Sequence, residues 1–217
     1  MARESRSTIV ESDNMEISPI PESCALLVID MQNDYLHEEG ICARAGLNVE
    51  PLRAVVPIVR RVIEAAHQAK IPVIYTRNWR TRWDISNAQR ERVARREFGI
   101  TGMADTWGAG WFAVQPDDRD VVISKTRHDA FFATNLDQIL RSQGVECVVV
   151  VGVQTHVCVE STVRSACARD YSLIILKDAV SSVDLEMHTA SLGNMAANYG
   201  DVVLANMMLA VWDRATA

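Results

Sequence analysis

Between residues 24 and 204 the chain alternates short, uniformly apolar runs with longer segments of helical periodicity, and this restricts the fold more than any other feature. The run 24–29, Cys-Ala-Leu-Leu-Val-Ile, has no polar face, so it suits a central strand of a parallel sheet covered on both sides. It ends on Asp30. Over 51–69, Val55, Val59, Val62 and Ala66 recur at helical spacing, which tolerates Pro57 only in a first turn. Strand character returns at 71–75 and again at 121–124. Thr134 offers an N-cap with Asp137 three residues on; Leu136, Ile139 and Leu140 form a helix face, and Gly144 is a stop. Residues 147–152 are the most strand-like in the chain. A helix follows with Val159, Val163 and Ala166 on one face, then a strand at 171–176, a helix near 186–198 and a last strand at 201–204.

Six strands separated by helices imply right-handed crossovers and a three-layer α/β/α domain around a doubly wound, mostly parallel six-stranded sheet. At ~150 residues per domain, 217 residues suit one domain over 22–217. Residues 1–21 lack periodicity and read as an N-terminal arm or flexible tail. With 22 basic and 28 acidic residues the formal charge is −6, which argues against a polyanion binder, so no nucleic-acid partner is expected. The longest apolar stretch, 148–153, falls far short of the ~18 residues of a membrane span. No apolar core resembling a secretory signal appears near the start, so no membrane partner and a cytoplasmic location are expected. The five cysteines are scattered without C-x-x-C spacing, which suggests neither a disulfide framework nor a zinc cage.

In doubly wound sheets, ligands bind beyond the carboxyl ends of the strands. Three reactive side chains fall there: Asp30, Lys125 and Cys158. Each alone has a plainer reading: a packed thiol, a turn carboxylate, a surface ammonium. Together they form a coherent set, because a helix start and a nearby ammonium favour a thiolate, and the same ammonium keeps Asp30 ionised. The irregular insert 78–120, rich in Trp and Arg, covers a site or forms a subunit interface. The basic run 90–96 reads as a charged helix face.

The segment Gly152-Val-Gln-Thr-His-Val-Cys-Val159 resembles the nucleophile loop of the isochorismatase-like cysteine hydrolases. The continuation Cys158-Val-Glu-Ser-Thr-Val-Arg164 is most similar to their carbamoyl-cleaving branch, the ureidoacrylate and biuret amidohydrolases. Further blocks carry the resemblance: Val28-Ile-Asp-Met-Gln-Asn-Asp34, Lys125-Thr-Arg-His-Asp-Ala-Phe-Phe132 and Asp178-Ala-Val-Ser181, so that it extends from about residue 24 to about residue 205. It implies the Rossmann-like fold already inferred, a Cys158–Asp30–Lys125 triad, and a cis peptide between Val153 and Gln154. That peptide would turn the Gln154 N–H toward the Cys158 N–H as an oxyanion hole. The implied reaction is hydrolysis of a C–N bond in a small amide, urea or carbamoyl compound through a thioester, with no organic cofactor.

His156, two residues before Cys158, is poorly placed as a base but suits a substrate contact. His128 and His188 read as ordinary polar residues, while His37 and His67 have no partner suggesting a ligand set. Nicotinamidase relatives bind a metal through Asp-x-His and a later histidine; 46–53 and 77–80 contain no histidine, so no catalytic metal is expected. Substrate contacts are expected from Asn78, Trp79 and Arg80 after the second strand, with a guanidinium toward a substrate carboxylate, and from Phe131, Phe132, Gln154 and His156. Gln154 replaces a smaller residue, and Asp129 a common Ser, which implies a more polar pocket. By resemblance several identical subunits assemble, as a dimer or tetramer. Three alternatives stay open: a vinyl-ether hydrolase, in which the cysteine position is characteristically non-nucleophilic; a non-catalytic binding relative; and a nucleotide-binding protein, although no Gly-rich loop follows the first strand.

Overall fold

The computed structural model describes residues 23–95 and 99–216. In chain order the elements are β1 (Cys24–Ile29), α1 (Asn33–Leu36), α2 (Ile41–Arg44), α3 (Glu50–Ala54), α4 (Val56–Gln68), β2 (Val73–Asn78), α5 (Asn87–Arg95), β3 (Val121–Lys125), α6 (Leu136–Ser142), β4 (Cys147–Val153), α7 (Glu160–Cys167), β5 (Ser172–Ser181), α8 (Leu185–Asn198), β6 (Asp201–Val203) and α9 (Ala205–Thr216). The expected arm over 1–21 and Arg96 of the basic run lie outside the described residues. Among those residues, no helix is long and apolar enough to cross a membrane.

The strands form one sheet in the order β3-β2-β1-β4-β5-β6, every pair parallel. The chain winds outward through β2 to the β3 edge, then returns to lay β4 beside β1. The switch point therefore falls between β1 and β4, where the strand ends diverge and leave a crevice. Every residue of β1 and β4 is buried, as their unbroken apolar runs require. Leu26 and Val28 of β1 pack with Val149 and Val151 against Val59, Val62 and Ala66 of α4 and Met208 and Trp212 of α9. Ala25, Leu27 and Ile29 face the other layer, with Leu136 and Leu140 of α6 and Val163 of α7. Each such aliphatic side chain contributes on the order of 1.5–3 kcal/mol when fully buried.

Several boundaries depart from the sequence pattern for identifiable reasons. β2 starts at Val73 because Pro72 has no N–H to give, and it runs on through Thr76, Arg77 and Asn78. Asn135, not Thr134, is the N-cap of α6, although the Thr134 hydroxyl accepts from Leu136 N at 3.2 Å while donating to the Ala130 carbonyl. Pro57 is accommodated at the start of α4. The helix α9 adds an element beyond the expected alternation, with Ala205, Met208 and Trp212 as its buried stripe. The 78–120 insert folds back over the carboxyl end of β1: Arg80 N donates to Gly102 O, Phe112 N to Met31 O, and the Tyr35 hydroxyl pairs with Thr101 Oγ1 at 3.0 Å. α5 within it buries no side chain.

Gly152 lets β4 approach β1 at the crevice. Its φ is +112°, and a Cβ there would lie 2.1 Å from Ile29 O and 2.6 Å from Ile29 N. Neither atom can retreat, because both belong to the central strand. Gly152→Ala is expected to cost more than about 3 kcal/mol, read as a lowered urea midpoint with an unchanged m-value.

Candidate active site

Asp30 leaves β1 with φ 51°, a left-handed turn that Asp tolerates better than most residues. The turn points its carboxylate beneath the crevice, where it is wholly buried. Oδ1 accepts from Thr76 Oγ1 at 2.8 Å, and Oδ2 from Asn78 Nδ2 and Lys125 Nζ, each at 2.7 Å. Thr76 and Asn78 alternate on β2, so they share one face, and Lys125 reaches across that strand from the β3 edge. The Lys125–Asp30 pair has no solvent-exposed side-chain surface. Such a pair survives burial only when its remaining donors and acceptors are matched. Lys125 also donates to Arg127 O at 3.1 Å, and Asn78 Nδ2 to the Tyr35 hydroxyl at 2.8 Å.

Cys158 enters from the other side of the switch point. After β4 the Val153–Gln154 peptide is cis, and residues Thr155–Val159 form a single wide π-type turn before α7. Cys158 thus sits in that turn and not at the start of a regular helix. Only 5% of its surface is exposed. The Asp30 carboxylate, Lys125 and Arg80 all act electrostatically on the thiol. Asp30 and Lys125 are paired, and both lie close enough to Cys158 to act on its charge.

Burial works against the thiolate that the helix start and the ammonium favour. Burial pushes the Cys158 thiol up to about 12; Lys125 and Arg80 oppose the rise and the Asp30 carboxylate adds to it. Desolvation of a sulfur anion here outweighs the help of both cations. At neutral pH the group is S–H, beside a carboxylate able to take its proton. Because the thiolate fraction rises tenfold per pH unit below the pKa, alkylation of Cys158 by iodoacetamide should climb steadily between pH 7 and pH 10 without a plateau. A plateau near pH 7 would mean a preformed thiolate.

Other candidates fall differently. Arg80, expected to face a substrate carboxylate, is buried with its guanidinium bonded to protein oxygens. Asn78 belongs to the Asp30 network. Trp79 is half-buried beneath the Arg77 guanidinium, 3.8 Å from its ring. Phe131 is core, 4% exposed and packed on Tyr171 at 5.9 Å, whereas Phe132 is 55% exposed. Gln154 is half-buried, with Nε2 directed at Cys42 Sγ at 3.9 Å. His156 Nδ1 pairs with Ser182 Oγ at 2.8 Å, and His188 Nδ1 with Thr155 Oγ1 at 2.8 Å.

His128, an ordinary polar residue by sequence, places Nδ1 3.7 Å from the Cys158 sulfur. His128 is exposed, and desolvation of its ring on the site side, then Lys125 and Arg80, push it down to about 4. Tyr35, Thr76 and Gln32 join the site without having stood out in the sequence. Gln32 Nε2 donates to Asn78 O at 3.0 Å and its Oε1 accepts from Asn78 N at 2.7 Å, which locks the Asp30 turn to β2. The signal available was the period-two polar series Thr76, Asn78, Arg80 at a strand end.

His67 does have acidic partners: its ligand atom and those of Asp117 and Asp120 lie within 4.8 Å of one another. They sit by the amino end of β3, far along the sheet from Cys158. The Arg119 guanidinium already binds Asp117 and approaches His67 Nδ1 at 3.2 Å.

The doubly wound sheet thus gathers an acid, an ammonium and a thiol around its switch point. The Isochorismatase domain family matches residues 24–207, and the chain belongs to that family. It is 33% identical over 208 residues to the ureidoacrylate amidohydrolase RutB of Acinetobacter baylyi, covering 88% of this chain and 84% of that protein. It is 34% identical to the protein of the same name from Methylobacterium radiotolerans, covering 91% and 83%. Among solved structures, a cysteine hydrolase from Pseudomonas syringae superposes with a TM-score of 0.80 at 24% identity, over 90% of this chain and 94% of that one. The N-carbamoylsarcosine amidase of Thermoplasma acidophilum gives 0.69 at 26% identity, over 85% and 97%.

Proposed function

We propose that the protein is a cysteine-dependent amidohydrolase that cleaves a C–N bond of a small amide, urea or carbamoyl compound. The observation that carries this reading is the buried Asp30 carboxylate, held by Lys125, Asn78 and Thr76 and near enough to act on the Cys158 thiol. The resemblance to ureidoacrylate amidohydrolases and to N-carbamoylsarcosine amidase supports the bond type. A thiol only 5% exposed favours small substrates.

In the first half-reaction Asp30 takes the Cys158 proton as the sulfur attacks the carbonyl carbon. The carbonyl electron pair moves onto oxygen, which the Gln154 and Cys158 backbone N–H groups stabilise. The pair returns, the C–N bond breaks, and Asp30 gives its proton to the departing nitrogen. In the second half water loses a proton to Asp30 and attacks the thioester; the C–S bond breaks and the proton returns to sulfur. Lys125 holds the carboxylate in line throughout, as a positioned partner must for efficient proton transfer. A thiol that starts protonated beside its base suits this cycle, since charge appears on sulfur only as the new bond forms.

Ammonia release from a panel of ureidoacrylate-like compounds, biuret, N-carbamoyl amino acids and nicotinamide tests the reading. Turnover of a carbamoyl or ureido member is expected. Hydrolysis of a vinyl ether with no activity on any amide would replace it with the isochorismatase-type reaction.

A further inference from the structure

Arg80 is 3% exposed, yet among the described residues no carboxylate pairs with it. Its donors go to neutral oxygens: Nε to Thr126 O at 3.1 Å, Nη1 to Thr101 O at 2.6 Å, and Nη2 to Asn78 Oδ1 at 2.7 Å. Burying a guanidinium without a counter-ion is costly, so it persists only where something gains from the charge.

Two features show what gains. The first is the Asn78 amide. With Oδ1 taken by Arg80, Nδ2 must be the end that faces Asp30 Oδ2 and the Tyr35 hydroxyl. Lys125 Nζ also donates to Oδ1, but at a longer 3.4 Å, so without the guanidinium the amide keeps only the weaker of its two holds on that end. The second feature is the charge count around the sulfur. Asp30 contributes one negative charge; Lys125 and Arg80 contribute two positive ones. The other titratable groups nearby are uncharged at pH 7: His128 is pushed down to about 4, the Cys42 thiol is pushed up to about 12, and burial holds the Tyr35 phenol well above its ordinary range. Asp34, the next buried carboxylate, accepts from Gly102 N and acts on Cys42. Among the charges that act most on the sulfur, two are positive, Lys125 and Arg80, and one is negative, Asp30.

We infer that Arg80 is a positioning residue with two effects: its fork sets the Asn78 amide against Asp30, and its unpaired charge is held for the negative charge that forms on sulfur and then on the carbonyl oxygen. This rests on the amidohydrolase reading for its role in turnover, but its effect on the thiol does not. A preorganised cation of this kind needs no rearrangement when charge develops.

Arg80→Met removes charge and fork together; Arg80→Lys keeps the charge and loses the fork. Cys158 alkylation by iodoacetamide, followed by peptide mass mapping from pH 7 to 10, reads the charge without any substrate. Arg80→Met should slow it about tenfold at each pH, the equivalent of one pKa unit, while Arg80→Lys stays within about threefold of the parent. In turnover, Arg80→Met should lose about 100-fold and Arg80→Lys about 10-fold, both in kcat with KM unchanged, because Arg80 does not touch substrate. Alkylation of Arg80→Met at the parental rate overturns the charge claim, and parental kcat in Arg80→Lys overturns the positioning claim. A raised KM with unchanged kcat makes Arg80 a substrate contact and also overturns it. If Arg80→Met does not fold, the Arg80→Lys alkylation profile and kcat decide both points: parental alkylation with reduced kcat supports the inference, and alkylation slowed as much as tenfold contradicts it. Should the parent hydrolyse no amide, the proposed function fails while the alkylation comparison still judges the charge effect.

Discussion

Cys158→Ser should lose amide hydrolysis by on the order of 10⁴–10⁶-fold while keeping its unfolding free energy within about 1 kcal/mol of the parent. The two expectations come from different parts of the structure. The sulfur is the group on which the proposed covalent intermediate forms, and an alkoxide in the same desolvated turn is far harder to generate than a thiolate. The fold depends little on it: the turn Thr155–Val159 is held by Gln154 O, which accepts from Val157 N at 3.0 Å and Val159 N at 3.2 Å, and by Thr162 Oγ1 on Cys158 O at 2.7 Å. None of these bonds involves the thiol. A Cys158→Ser variant that folds normally and still turns over at a tenth of the parental rate would remove the cysteine from the chemistry. Ammonia release measured beside urea unfolding gives both numbers.

Asp30→Asn should be damaging twice over, with activity down about 10³–10⁴-fold and stability down about 3–5 kcal/mol. Asn tolerates the left-handed backbone that Asp30 adopts at φ 51°, so the substitution changes charge and not the turn. What it removes is the carboxylate that pairs with Lys125, leaving that ammonium and the Arg80 guanidinium buried together. A second change, Lys125→Met, separates the two losses. The double variant should recover part of the stability, on the order of 1–3 kcal/mol, because it no longer buries an unmatched ammonium, and it should recover no activity. Equal stability of Asp30→Asn and the parent would show that the ion pair is not what organises the crevice.

The architecture was legible because the strands at the switch point are unmixed apolar runs. A segment such as Val148–Val151 leaves no choice of face to expose, and it lies buried on both sides, paired with β1. The pairing of Asp30 with Lys125 followed from their positions at strand ends. What escaped was everything that depends on side-chain direction. Arg80 looks like a substrate clamp in one dimension, but on β2 and its continuation it follows Thr76 and Asn78 at period two and turns inward. Phe131 and Phe132 read as one aromatic pair, and the loop after β3 sends the first into the core and the second to solvent. The protonation state of Cys158 could not be read from neighbours alone, since burial of the sulfur outweighs both cations. α9 lacked a polar face sharp enough to stand out, and α5, rich in Arg and burying nothing, gave only its charge pattern.

The most direct test is intact-protein mass spectrometry of the enzyme quenched in acid during turnover of an amide or carbamoyl substrate. An adduct of the acyl or carbamoyl fragment on Cys158, released by hydroxylamine and absent from Cys158→Ser, is the predicted result. Steady turnover with unmodified Cys158 at every quench time, undiminished in Cys158→Ser, would contradict it.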